Sequence, residues 1–158
     1  PMMKKVFSLM LTAALCLTMA ACPPKKAAQA KAFDLDTLPQ TLLDSGAFTD
    51  PDDMVPPMDA TVRFDTLDAS SVTDSALYSS TYLAELIAVL VMKDEDSAKT
   101  AVTVLEDYVS ATIEAEKTYR PDEVSKLESA IVEQRGNTVL LVVAADTQAA
   151  QTALDSWG

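Results

Sequence analysis

The sequence predicts an α+β domain: an antiparallel sheet of about four strands, covered by a long amphipathic helix and by shorter helices. Three observations lead to this fold class. Two short, almost continuously apolar runs, 86–92 and 139–145, have the composition of central strands. A two-residue turn signal separates 130–135 from 138–145, as in a hairpin. Between the strand pairs, residues 97–119 carry the apolar stripe of an amphipathic helix.

The first element is predicted to be a short helix within residues 34–46. Asp36 or Thr37 can cap its N-terminus, and Pro39 is tolerated in its first turn. Gly46 suits the left-handed position that follows a helix end. The apolar side of this helix is formed by Leu35, Leu38 and Leu42.

Three prolines and many aspartates interrupt residues 48–75, which are predicted to be mostly loop and turn with short extended pieces around 61–64. Residues 76–82 then have strand composition. The apolar run 84–92 favours a central strand, with a helix as the alternative, because periodicity does not separate the two in so short a run.

The longest predicted helix covers residues 97–119, with Asp94 or Asp96 as its cap. A second, shorter helical piece starts at Pro121, a residue that the first helical position accepts. The stripe of the long helix consists of Ala98, Val102, Leu105, Val109 and Ile113.

Gly136-Asn137 is the clearest local signal, because glycine first in a two-residue loop fits a type II′ hairpin turn. Asp146-Thr147 can then cap a last helix that runs to Trp157. Trp157 is interpreted as a core anchor for this helix.

Residues 1–22 have the order of a secretory signal: a short basic segment, an apolar run too short to span a membrane, and small residues before Cys22. Residues 17–22 resemble the lipobox of bacterial lipoproteins. The resemblance implies that Cys22 is acylated through its sulfur and becomes the mature N-terminus. The alternative is an ordinary signal peptide that is cleaved near Ala21. Residues 23–32, called the tether below, contain no large apolar side chain, and 33–158 are predicted to form a single domain.

A lipid on Cys22 would place the domain on the outer face of the cytoplasmic membrane. The only other cysteine lies inside the signal, so the mature domain would have neither a free thiol nor a disulfide. The formal net charge of −12 argues against a nucleic-acid partner, since phosphates repel so acidic a chain. Three basic residues near the anchor either touch anionic lipid head groups or solubilise the tether: Lys25, Lys26 and Lys31.

The composition also restricts catalysis. The chain has no histidine and no cysteine after Cys22, which excludes Ser-His and Cys-His nucleophiles and zinc sites built on imidazole or thiolate. Its three glycines are too dispersed for a phosphate-binding loop. We therefore predict no catalytic residue, no metal site and no cofactor.

Acidic residues concentrate at two places. One cluster, in the proline-containing loop, consists of Asp50, Asp52, Asp53 and Asp59; the other, before the long helix, of Asp94, Glu95 and Asp96. Oxygen-rich clusters can bind Ca²⁺. The first cluster lacks EF-hand spacing, and we interpret the two as a solvated loop and a helix-capping run.

Tyr78 and Tyr82 would share one face of a strand. The favoured interpretation is that they pack beneath a helix or loop, and the alternative is a small exposed recognition patch. The few arginines of this acidic domain are expected to form ion pairs: Arg63, Arg120 and Arg135.

Several segments together resemble a family of small bacterial lipoproteins catalogued as domain of unknown function 4358. They are the lipobox, DLDTLPQTLLDSGAF, the run 85–93 before Asp94-Glu-Asp, the helix end EKTY with its following PDEV, and GNTVLLVVAAD. The family has no assigned activity and contributes no catalytic residue. The sequence therefore predicts a membrane-anchored, non-enzymatic binding module with an unknown envelope or extracellular partner. The alternatives are a carboxylate-based hydrolase of the cell envelope and a structural component of an envelope assembly.

Overall fold

The computed structural model describes residues 30–158, so Cys22 and most of the tether lie outside the described residues. The predicted α+β class is confirmed. The described elements are α1 Thr37–Leu43, β1 Met54–Met58, β2 Val72–Ser80, β3 Leu86–Met92, α2 Glu95–Tyr119, α3 Val124–Glu128, β4 Ile131–Arg135, β5 Thr138–Val143 and α4 Thr147–Trp157. The strands form one sheet in the order β1-β2-β3-β5-β4, and all neighbours are antiparallel.

The sheet has five strands where about four were predicted, because β1 lies in the region predicted to be loop. β1 contains two prolines, which lack the N–H that a strand paired on both sides would need. The strand is tolerated because it lies at the sheet edge and pairs with β2 alone, and its register shifts between Val55 and Met58, where the prolines occur. The expected extended piece at 61–64 is wrong: a 3₁₀ turn, Ala60–Val62, occupies it.

The central position of the two most apolar strands is confirmed. β3 lies in the middle of the sheet, paired with β2 on one side and with β5 on the other. All side chains of β5 and nearly all of β3 are buried, which explains their lack of polar alternation. The alternative of a helix over 84–92 is thereby wrong.

Helices cover both faces of the sheet. On one face, α2 and α3 pack over Ala88, Leu90 and Leu141 through residues such as Leu105 and Leu127. The opposite face packs against α1 and α4, and its core contains Leu38, Leu42, Ile87, Val89, Leu140, Val142, Ala150 and Leu154. The prediction that the long helix crosses one face is confirmed. No helix within residues 30–158 is long and apolar enough to cross a membrane.

Side-chain caps define where the helices start. Asp94 caps α2 by accepting from the N–H of Ser97, and Asp146 caps α4 by accepting from Ala149. Asp36 occupies the predicted N-cap position of α1, and Thr37 is the first helical residue, but Asp36 makes no capping hydrogen bond. Asp34 accepts instead from the N–H groups of Asp36, Thr37 and Leu38. Asp34 lies far enough before the helix for its carboxylate to reach all three donors.

The β4–β5 hairpin has the predicted turn. Arg135 pairs with Thr138 across Gly136-Asn137, and Gly136 has a φ of 59°. Among the described residues only glycines have positive φ, so Asn137 does not, which fits type II′ rather than I′. Gly46 also adopts the left-handed conformation after α1, with a φ of 78°.

Candidate functional site

The tether joins the domain at the end where the β4–β5 turn and the start of α2 meet. The Nζ of Lys31 lies 3.8 Å from the centroid of the Trp157 ring, and Arg135 donates to the Lys31 carbonyl at 3.2 Å. Phe33 is buried and donates its N–H to the Thr138 hydroxyl. Lys31 is thus held against α4, while contacts of Lys25 and Lys26 lie outside the described residues.

Trp157 closes this end of the domain. Its ring stacks on Phe33 at 6.3 Å, and its Nε1 donates to the Thr37 hydroxyl at 3.0 Å. The residue is half-buried and packs against the core beneath α1 and α4. The interpretation as an anchor for the last helix is confirmed.

The opposite end of the domain holds a buried ion network. The side chain of Glu85, only 1% exposed, accepts from the Lys126 ammonium at 2.8 Å and from both the hydroxyl and the N–H of Thr49. Glu123 accepts from Lys126 at 3.0 Å and from the Ala84 N–H at 2.8 Å. The network therefore ties the loop before β1, the start of β3 and the α2–α3 connection together.

Every buried polar atom of this network has a partner. Burial acts to lower the pKa of Lys126, but the hydrogen bonds and charges of Glu85 and Glu123 outweigh it and hold the pKa above its ordinary value. Nearby, the hydrogen bond from Arg120 holds the pKa of Glu116 below its ordinary value. These carboxylates are bound to fixed cations and backbone groups, which favours a structural role for them.

The acidic clusters act locally. Asp50 and Asp59 cap 3₁₀ turns, Asp53 accepts from Ser80 and Thr81, and Asp94 caps α2. Among residues 30–158 no group of three or more potential metal ligands is brought together. The interpretation of the second cluster as a capping run is confirmed at Asp94.

The two tyrosines do not lie on one strand face. β2 ends at Ser80, so Tyr82 lies in the following turn and is 76% exposed, while Tyr78 is half-buried against the core. The packing interpretation therefore applies to Tyr78 alone. Tyr119, at the end of α2, is 80% exposed, and Arg120 donates to the Tyr82 carbonyl between them. Tyr82 and Tyr119 lie at the end of the domain that is remote from the tether.

The arginine prediction is correct for two of three residues. Arg120 pairs with Glu116 and Arg135 with Glu133. Arg63 instead donates to the Tyr108 and Ser79 hydroxyls at 3.3 Å, and within the described chain it forms no ion pair.

The outer edge of β4 is the first component of a candidate binding site. In a two-residue hairpin the residues beside the turn form a hydrogen-bonded pair, so Arg135, Glu133 and Ile131 direct their backbone groups toward β5. Val132 and Gln134 direct theirs outward. Within residues 30–158 no backbone hydrogen bond reaches these two residues from another segment. The edge offers a row of unused donors and acceptors.

An adjacent groove is the second component. It is an open depression between α2, α3 and β4 with a volume of about 310 Å³. Its apolar lining consists of Val109, Ile113, Leu127, Ala130 and Val132. Glu106, Ser110 and Glu128 form the polar part of the lining, and both glutamates are exposed. Side chains of an added strand would therefore meet an apolar floor with an acidic rim.

Sequence reasoning missed both the buried network and the groove. A glutamate at the start of the apolar run 84–92 is a signal for a buried, paired carboxylate, because Glu is almost never fully buried alone. No local signal identifies the groove, since Val109 and Ile113 look like ordinary members of the helix stripe. The groove exists because β4 is the last strand of the sheet, which depends on strand order.

A family model described as Domain of unknown function (DUF4358) matches residues 61–144. This region runs from the 3₁₀ turn after β1 to the end of β5, and so includes α2, β4 and the groove. No curated protein and no solved structure matches the chain.

Proposed function

The chain belongs to the family described as domain of unknown function DUF4358, and we propose that it is a non-enzymatic binding module, anchored to the outer face of the cytoplasmic membrane through Cys22. In this proposal the module holds an envelope or extracellular protein in the groove between α2 and β4. The alternatives are a hydrolase that uses carboxylates and a structural subunit of an envelope assembly.

One observation carries the binding role: the outward backbone groups of Val132 and Gln134 lie beside a groove that has apolar side chains on its floor and two exposed glutamates on its rim. The two edges of the sheet differ in this respect. β1 carries two prolines and a register shift, which disfavour the addition of another strand, whereas β4 carries neither. The contrast indicates that the β1 edge is protected against pairing with another strand, whereas the β4 edge is available for such pairing.

The contacts of the buried carboxylates support a non-enzymatic role. A general acid or base must exchange protons with a substrate in a cleft, and a raised carboxyl pKa is its usual mark. Here Glu85 and Glu123 bind Lys126 and backbone N–H groups, and the pKa of Glu116 is lowered by Arg120.

If Cys22 is the anchor, the end of the domain that holds Lys31 faces the membrane. α2 starts beside the tether and is 25 residues long, about 37 Å at the usual helical rise. β4 and its groove run along the side of the domain between the two ends. A partner would therefore be held alongside the domain rather than beneath it.

The experiment is photo-cross-linking in living cells. A photoreactive phenylalanine replaces Ser110, which lines the groove, and in a matched variant it replaces Tyr119, which is exposed outside the groove lining. We expect a discrete adduct from position 110 and none from position 119. An adduct from position 119 alone would contradict the proposed site.

A further inference from the structure

We propose that the groove takes an extended peptide segment that alternates apolar and basic residues and pairs with β4 as a sixth strand. This inference rests on the proposed function, because it names the partner chemistry of the same groove. Three properties of the groove define that chemistry: its backbone edge, its apolar floor and its charge.

The backbone edge requires an extended partner. Val132 and Gln134 offer two N–H and two C=O groups at the spacing of alternate strand residues, which matches the ladder of an antiparallel or parallel neighbour. A helix satisfies its own backbone groups internally and leaves this edge unpaired. The first requirement is thus a strand.

The floor requires apolar side chains at every second position. Val132 projects onto the α2 side of the sheet, where it packs with Ala130 against the core that includes Val109 and Leu127. An added strand presents alternate side chains to that same side. Those side chains enter the groove, and small to medium apolar residues match its volume of about 310 Å³.

The charge selects basic residues and disfavours a second copy of this chain. Neither Glu106 nor Glu128 forms an ion pair among the described residues, and the groove lining contains no cation. Lys117, whose pKa is raised in small part by the charge of Glu128, is itself paired with Glu114. A formal net charge of −12 on each chain opposes self-association at this edge.

The probe is a fluorescein-labelled octapeptide of alternating lysine and valine, titrated with the whole chain purified in a mild detergent. Binding is followed by fluorescence anisotropy at 150 mM salt. A peptide of alternating glutamate and valine measures charge selectivity. We expect the lysine peptide to bind at least about tenfold more tightly than the glutamate peptide.

Two pairs of variants locate the binding. Ser110→Arg places a cation in the groove and should weaken binding about tenfold, while Ala111→Arg adds the same charge one position along, outside the groove lining, and should change it about twofold at most. Glu106→Gln with Glu128→Gln should weaken binding roughly threefold to tenfold. As a control, Asp65→Asn with Asp155→Asn removes two exposed acids outside the groove and should leave binding unchanged.

A third variant tests the backbone edge. Val132→Pro removes an N–H that no strand of the sheet uses. It should weaken binding of the lysine peptide at least about fivefold. Circular dichroism checks that the variant is folded. If it is not, the peptide is N-methylated at alternate residues instead, which removes the peptide N–H groups that would donate to the C=O groups of Val132 and Gln134. One of the two possible sets of alternate residues must then abolish binding.

The outcomes are distinct. Equal binding of both peptides, or equal effects of Ser110→Arg and Ala111→Arg, overturns the inference. A stable dimer that Val132→Pro dissociates overturns it in favour of a second copy. A cross-link from position 110 without lysine-peptide binding leaves the binding module standing and refutes only the basic, extended partner. If neither a cross-link from position 110 nor binding of the lysine peptide is observed, the proposed site is refuted.

Discussion

Replacement of Lys126 by methionine is expected to destabilise the domain strongly while its hydrocarbon volume is retained. The ammonium is the one cation between Glu85 and Glu123, at 2.8 and 3.0 Å from their carboxylate oxygens. Its removal leaves two buried carboxylates that are paired with no other cation among the described residues, and only the longer-range charge of Arg120 acts on Glu123. The loop before β1 and the α2–α3 connection would both lose an attachment to the start of β3.

The magnitude follows from the burial of the three side chains. Removal of one partner from a buried ion pair costs about 3–5 kcal/mol. The Lys126 side chain is 16% exposed, and the glutamates keep their hydrogen bonds from Thr49 and Ala84, so water and these donors recover part of the loss. We expect a decrease of about 2–4 kcal/mol in the free energy of unfolding. For a domain of this size that is a decrease of roughly 8–16 °C in Tm.

The assay is urea unfolding at pH 7 followed by circular dichroism, with Lys99→Met as the matched control. Lys99 also follows its carboxylate partner by three residues, but the side chains of Lys99 and Asp96 are 68% and 94% exposed. The control should lose less than about 0.5 kcal/mol. Because the pKa of Lys126 is raised above 10.5, its contribution is complete at pH 7 and is lost only as pH rises through the higher folded-state value. Equal losses in the two variants would refute the account of the network.

Three further predictions concern the caps, the pH dependence and the anchor. Asp34→Ala should cost about 1 kcal/mol in urea unfolding, since it removes the carboxylate that caps α1, whereas Asp36→Ala should be nearly neutral. Partial burial acts to raise the pKa of Asp34, but hydrogen bonds from Thr37 and neighbouring N–H groups outweigh it and lower the pKa below 3.8, so the difference between wild type and Asp34→Ala should shrink as pH falls through that range. A constant difference from pH 5 to pH 2 would contradict this sign. Cys22→Ala should move the chain from the membrane to the soluble fraction, and Cys16→Ala should not; a Cys22→Ala chain that stays in the membrane would exclude the lipid anchor.

Periodicity and composition predicted the elements whose environment is uniform along their length. The stripe from Ala98 to Ile113 predicted α2, and the apolar runs predicted β3 and β5 as central strands, because a strand buried on both faces needs no polar alternation. The glycine at 136 predicted the turn. In each case a local property of the chain determined the outcome.

Elements whose existence depends on strand order were not predictable. β1 forms despite its prolines because its position at the edge leaves their missing N–H groups without consequence. The burial of Glu123 depends on Lys126 and Ala84, and the latter lies 39 residues away. The groove depends on β4 being the last strand rather than an inner one. Such contacts between residues that are distant in sequence produce no recognisable pattern among neighbouring residues.

Amide hydrogen exchange at β4, measured by NMR, tests the claim about the groove most directly. In the free chain the N–H groups of Val132 and Gln134 should exchange rapidly, while that of Glu133, which faces β5, should be protected. Saturation with the lysine–valine peptide should slow amide exchange at Val132 and Gln134 at least about tenfold. The exchange rate at Glu133 should stay unchanged. Val132 and Gln134 amides that are already protected in the free chain, or that exchange equally fast with peptide bound, would contradict strand addition at this edge.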